Sequence, residues 1–177
     1  MGEINDVVIA SSRPDADAAE ALRARHARMG QHVEQLVRRL AEATSGDEAR
    51  GARDELAAWA REELLTHLDT AERTVLVAAR SLPGLRVLVE ALCAEQATLR
   101  SLADALAGAD RPAPAVAAAA ALEAVLDVHL QHLDTFVLPA LAASSSTSVA
   151  DLVAQVPALA DAAPTTGCCG GSCGCGR

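Results

Sequence analysis

Three histidines and one glutamine, His26, His67, Gln96 and His129, interrupt stripes that are otherwise apolar along this 177-residue chain. The stripes recur in threes and fours, the period of an amphipathic helix. They run Leu22, His26, Met29, Val33, Leu36, Leu40; then Leu56, Ala60, Leu64, His67, Ala71, Val75, Ala78; then Val89, Leu92, Gln96, Leu99, Ala103, Leu106; and last Leu122, Val125 or Leu126, His129, Leu133, Phe136, Ala140. Each polar residue lies near the middle of its stripe, so antiparallel helices place all four at one height. Burying such groups without partners costs a few kcal/mol each, roughly 1–3 by mutational data. Two arrangements would satisfy them: hydrogen bonds to one another and to trapped water, or a metal ion. Neutral imidazole is the commonest metal ligand, and helix bundles commonly hold metal pairs in their cores, so three imidazoles at one level favour the metal.

Carboxylates are the next requirement, because anionic ligands offset the charge of a metal pair. His67 and Glu72, and likewise His129 and Asp134, share a His-x-x-x-x-acid spacing. Five residues swing the acid to the flank of the inward face, from where it reaches a second metal better than the first. The Glu-x-x-His pairing of ferritin-like sites does not occur. His132, one turn from His129, either joins the site or edges it. His32 lies off its stripe and reads as solvated, and Asp69 and Glu95 read as an exposed border. No pairing of base and nucleophile is evident, so hydrolytic catalysis is not expected.

The elements that must position these residues are four long helices. The first opens near Pro14 after Ser12 and breaks at Ser45 and Gly46. The second starts at once, with Ser45 and Glu48 placed as a capping box, and stops at Ser81 to Gly84, where proline cannot continue the hydrogen-bond ladder. The third ends before the Gly108–Pro114 linker, and the fourth runs to about Ala143. Linkers this short make successive helices antiparallel neighbours. The expected fold is therefore all-α: an up-down-up-down four-helix bundle over 14–146, after an N-terminal arm at 1–13. A short extra helix at 147–163, capped by Ser148 and kinked by Pro157, precedes a flexible Cys/Gly-rich tail at 164–177.

Composition narrows the functions. Trp59 and Phe136 are the only aromatics, so the core is built of Ala, Leu and Val, and strand formers are scarce. All fifteen basic residues are Arg and the net charge is −9, which argues against nucleic-acid or anionic-membrane partners. The longest apolar run, about 113–126, is mostly alanine and falls short of the roughly 20 strongly apolar residues of a membrane span. No basic start followed by an apolar stretch opens the chain, so a cytoplasmic location is expected.

Four segments resemble the hemerythrin-like family, the HHE cation-binding domain: Arg25-His26-Ala-Arg-Met29, Glu63-Leu-Leu-Thr-His67-Leu-Asp-Thr-Ala71-Glu72, Cys93-Ala-Glu95-Gln96-Ala-Thr-Leu99, and Val128-His129-Leu-Gln-His132-Leu133-Asp134 through Leu138-Pro139. The likeness spans about 15–143. It implies a bundle holding a non-haem iron pair and a role in binding or sensing dioxygen, nitric oxide or iron. Carried over residue by residue, it implies His26, His67, Glu72, His129 and Asp134 as ligands, with Gln96 as a neutral ligand or a supporting group. The chain departs from the family pattern at three places, where Ala71, Gln96 and Leu133 stand at positions that often carry ligands.

Cys168, Cys169, Cys173 and Cys175 crowd the last ten residues. Four thiols with glycines between them suffice for one thiolate site for zinc, copper(I) or an iron–sulfur cluster, although the spacing is not that of a zinc ribbon. The leading expectation is a non-haem iron protein whose partner is a small gas or metal ligand. The alternative is a metal-free bundle scaffold whose Cys tail acts in metal binding or thiol redox.

Overall fold

In a computed structural model the described residues, 10–155, are mostly helical and contain no strand. α1 spans Arg13–Ala41, α2 Gly46–Trp59, α3 Leu65–Arg73, α4 Val75–Arg80, α5 Arg86–Ala107, α6 Pro112–His132, α7 Leu138–Ala142 and α8 Val149–Gln155. Two π-helical segments, Ala60–Leu64 and Leu133–Val137, join α2 to α3 and α6 to α7. α1 packs on α2 and α6, α5 packs on α6 and α2, and α2 also touches α6. Leucines dominate the core between them, with Leu56, Leu64, Leu92, Leu99, Leu106, Leu122 and Leu126 fully buried.

Local chemistry sets the element ends. Ser12 caps α1 by accepting from the Asp15 amide, with Pro14 in the first turn. Ser45 and Glu48 form the expected reciprocal capping box of α2. Gly84 turns the chain between α4 and α5 with φ +87°, a conformation that strains any residue with a Cβ. The second predicted helix is not continuous. It widens at Ala60–Leu64 and bends at Thr74, whose ψ of −73° is off the helical value and whose hydroxyl donates to the Thr70 carbonyl at 2.8 Å.

The widened turn at Leu133–Val137 adds one residue and slides everything after it around the helix axis. Phe136 and Ala140 were expected inward; instead Phe136 is 51% exposed and Val137 and Leu141 fill the core. From Ala60–Leu64 on, the expected Leu64, His67, Ala71 and Val75 stay buried, and only at the end of α4 does Ala79 take the buried place in place of Ala78. The segment Leu133–Val137 lies directly before Pro139, whose ring crowds the carbonyl four residues back in a regular helix. Because the helical run does not stop at 126, Pro112–Ala142 is long and apolar enough to cross a membrane by length and composition. Its Leu122, Leu126, Leu133 and Val137 are buried, and about 33% of its most apolar window is buried in all.

A clasp joins the start of α1 to the start of α8. The Asp15 carboxylate accepts from the Ser12 hydroxyl at 2.6 Å, the Ser11 hydroxyl at 3.1 Å, the Ser148 hydroxyl at 2.8 Å and the Ala150 amide at 3.1 Å. Ser148 accepts in turn from the Asp151 amide, the cap expected for the short helix. These donors hold the Asp15 carboxyl well below the usual carboxylate range. The remainder of the expected short helix with Pro157, the start of the N-terminal arm and the Cys tail lie outside the described residues.

Two expectations follow. A charge at Val137 (Val137→Glu) unfolds or destabilises the protein by several kcal/mol, on the order of 4, whereas Phe136→Glu stays within about 0.5 kcal/mol in urea titrations; the reverse order would refute the shifted register. For Asp15 the folded pKa lies below the unfolded one, so its stabilisation is present above about pH 4 and is lost as pH falls through the acid range. Asp15→Ala should therefore cost about 1–3 kcal/mol at pH 7 and progressively less as pH falls into that range, with amide exchange rising first in α8.

Candidate functional site

The core places His26 on α1, His67 on α3, Gln96 on α5 and His129 on α6, all buried, at 3%, 2%, 0% and 0% exposure. The His26 and His67 rings meet edge to face with centroids 5.2 Å apart. Around them the core is alkyl. His67 has no hydrogen-bond partner at either ring nitrogen, Gln96 has none at either amide atom, and His129 has none at Nε2. Five orphaned polar atoms in one layer are an unusual concentration, since buried polar atoms in native folds are nearly always paired.

Two carboxylates grip the layer from its flanks. Asp134 Oδ1 lies 2.6 Å from His26 Nδ1. Glu95 is shared, with Oε2 3.0 Å from His129 Nδ1 and Oε1 2.9 Å from His132 Nδ1. A carboxylate facing Nδ1 draws the ring proton there and leaves the lone pair on Nε2, the form of imidazole that binds a metal. The widened turn at Leu133–Val137 carries Asp134, and its backbone carbonyl receives Arg23 from α1 at 3.4 Å.

Electrostatics keep His67 neutral. Burial pushes the His67 pKa well below its ordinary value, and His26, Arg25 and His129 push it further. Burial also lowers that of His129, against the opposing pull of Glu95. Beside His26 and His67 lies a small apolar cavity walled by Leu22, Ala71, Val75, Leu133 and Leu138, with room for about one water-sized molecule. Ala71 opens this space: a longer side chain there would fill it.

The structure treats the two acids of equal spacing differently. Asp134 reaches His26, whereas Glu72 turns outward, half-exposed, and accepts from Arg100 at 2.9 Å beside Asp69 at 2.7 Å. Glu72 is therefore not brought to the histidines. His132 sits at the edge, and His32 is exposed, its ring against Trp59 at 5.8 Å. The residue that sequence reasoning missed is Glu95, expected on an exposed border and found 18% exposed between two histidines. Its signal was the His129-x-x-His132 pair on the facing helix. The cysteines 168, 169, 173 and 175 lie outside the described residues.

Comparison with family models, curated proteins and solved structures finds no match. Among the described residues no three His, Cys, Asp or Glu side chains form a ready-made metal cluster. The test of fit thus rests on the orphaned atoms. Those atoms are both ring nitrogens of His67, Nε2 of His129 and the Gln96 amide, and among the described residues no third ligand gathers with them into such a cluster. A pair does not fit, because Glu72 is spent on Arg100 and Asp134 and Glu95 face ring nitrogens.

In chelator-treated protein His67→Leu should raise stability by about 1–3 kcal/mol at pH 7, because an alkyl group replaces an unpartnered polar one. The wild type should also lose stability as pH falls below about 6.5, since the unfolded state takes up the proton that buried His67 refuses. His67→Leu should flatten that acid limb. A destabilised variant in thermal or urea unfolding would mean that the ring nitrogens are satisfied after all.

Proposed function

We infer that these helices form an up-down-up-down four-helix bundle of the hemerythrin type, and that the protein binds non-haem iron in the layer of His26, His67 and His129 to bind or sense a small ligand such as dioxygen or nitric oxide. The observation that carries this reading is the set of unpartnered buried nitrogens on His67 and His129, with a cavity the size of one water molecule beside His67. The burial cost of that set is offset once an ion accepts the lone pairs. His26, His67 and His129 would hold the ion, with Gln96 as a neutral neighbour. Asp134 and Glu95 orient the rings of His26 and His129 through Nδ1. A bound iron(II) supplies a coordination position and an electron to a diatomic ligand. Leu22, Val75, Leu133 and Leu138 exclude bulk water and limit the size of what enters.

A second reading belongs to another class: a metal-free scaffold whose Cys tail is the active part. The absence of a ready-made three-residue cluster among the described residues favours it. Metal analysis of anaerobically purified full-length protein separates the two. Under the iron reading the chain carries about one iron per bundle, as a single imidazole-bound site requires. That iron survives deletion of residues 164–177, disappears in His67→Ala, and gives a changed absorption spectrum on exposure to nitric oxide. Metal that follows the tail alone, with the bundle folded and iron-free, would sink the iron reading and support the scaffold.

A further inference from the structure

Most of the large apolar side chains that the described residues leave exposed stand on one side of the molecule. Val128 on α6 is 43% exposed, Phe136 in the turn after it 51%, and Val87 at the start of α5 77%. Glu95 marks the seam between the two helices, because it leaves α5 to meet His129 and His132 on α6. Val128 and Phe136 lie one turn to either side of His132, and the His132 and Phe136 rings are 6.1 Å apart. Val77, on α4, is the exception.

The second observation is where the charges are. A helix at the surface of a bundle ordinarily turns charged residues outward. On α5 the outward row is Val87, Ala91, Ala94, Thr98, Ser101 and Ala105, spaced alternately four and three, all exposed and none charged. The Thr98 hydroxyl is spent on the Ala94 carbonyl at 3.0 Å. An uncharged row at that spacing is one that seats a second helix. Arg100 is drawn away to Asp69 and Glu72 on α3. On α6 the acids Glu123 and Asp127 lie on the far flank, toward α1. Glu95 is held by its two histidines, and Glu90 and Asp104 border the row on its other side.

We propose that the α5–α6 face is the contact between two copies of this chain in a two-fold dimer. Size fits such a contact. Helices of 22 and 21 residues are each about 32 Å long and pack about 10 Å apart, which gives a footprint of roughly 600 Å². Stable interfaces bury about 600–1,000 Å² per partner. Charge fits as well. At a net charge of −9 two copies repel one another, and they do so least where this face meets its own image. A two-fold axis sets each uncharged row against an uncharged one, and leaves Glu90 and Asp104 at the wet rim. The dimer does not depend on metal in the histidine layer.

The test is sedimentation equilibrium of the full-length protein over a dilution series, with a reductant present so that cysteines cannot bridge chains. The wild type should run at twice the 18.2 kDa of one chain and fall toward one chain on dilution. Ala91→Glu on α5 and Val128→Glu on α6 should each raise the dissociation constant about a hundredfold, because each sets like charges close together across the axis. Val77→Glu, off this face, should leave it unchanged. Circular dichroism checks helix content, and the two face positions lie on separate helices, so either variant serves if the other loses its fold. A wild type of one-chain mass at every concentration would overturn the dimer, and its flotation with phosphatidylcholine vesicles would assign the face to lipid instead. A dimer that survives both face substitutions, or that Val77→Glu breaks equally, would overturn the α5–α6 contact.

Discussion

The structure is organised by the cost of keeping imidazoles and an amide inside an alkyl core. Leucine, alanine and valine supply almost all of the buried surface, and such a core offers nothing that a ring nitrogen or an amide can bond to. A leucine at any of His67, Gln96 or His129 would have closed its stripe at no such cost. Asp134 and Glu95 relieve part of the penalty by reaching in from the flanks, and they do so at Nδ1 only. Both ring nitrogens of His67 and Nε2 of His129 are left without partners. Flank carboxylates, small cavity and lowered histidine pKa values are all consequences of that one layer.

The two π-helical segments decide which side chains serve it. His67 and His129 each have an acid five residues on, and in a regular helix both acids would sit on the flank. α3 is regular, and Glu72 goes to Arg100 at the surface. After His129 the turn widens at Leu133, and Asp134 lies against His26 on α1. The same widening turns Phe136 outward and brings Val137 in. Identical spacing in sequence thus gives one structural partner of the layer and one surface ion pair.

Much of this was legible in the sequence. Apolar periodicity located the four stripes, and His26, His67, Gln96 and His129 are buried as it required, because period and burial are linked by simple helix geometry. Ser12, Ser45 with Glu48, and Ser148 announced helix starts through local hydrogen-bond chemistry. What the sequence did not carry was register beyond a widened turn, since periodicity assumes a constant 100° per residue. Glu95 was misplaced for another reason. A carboxylate beside a stripe is exposed by default, and only the paired histidines of the facing helix, distant in sequence, hold it inward. Glu72 erred in the opposite direction, for its basic partner Arg100 is 28 residues away.

Charge balance bears on how many ions the layer can hold. A divalent ion in a low-dielectric core needs negative charge close by, because an uncompensated buried charge costs several kcal/mol or more. Asp134 and Glu95 together supply two negative charges, each one imidazole away from the centre. On the proposed iron reading that matches one divalent ion, and burial already holds down the pKa values of His67 and His129. A second ion would bring two further positive charges, and Glu72, the carboxylate spaced to meet them, is drawn off by the Arg100 guanidinium. Arg25, close enough to depress His67, adds to the penalty. If the proposed metal binds at His26, His67 and His129, the electrostatics of the flanks therefore favour a single ion over the pair that the sequence resemblance implies.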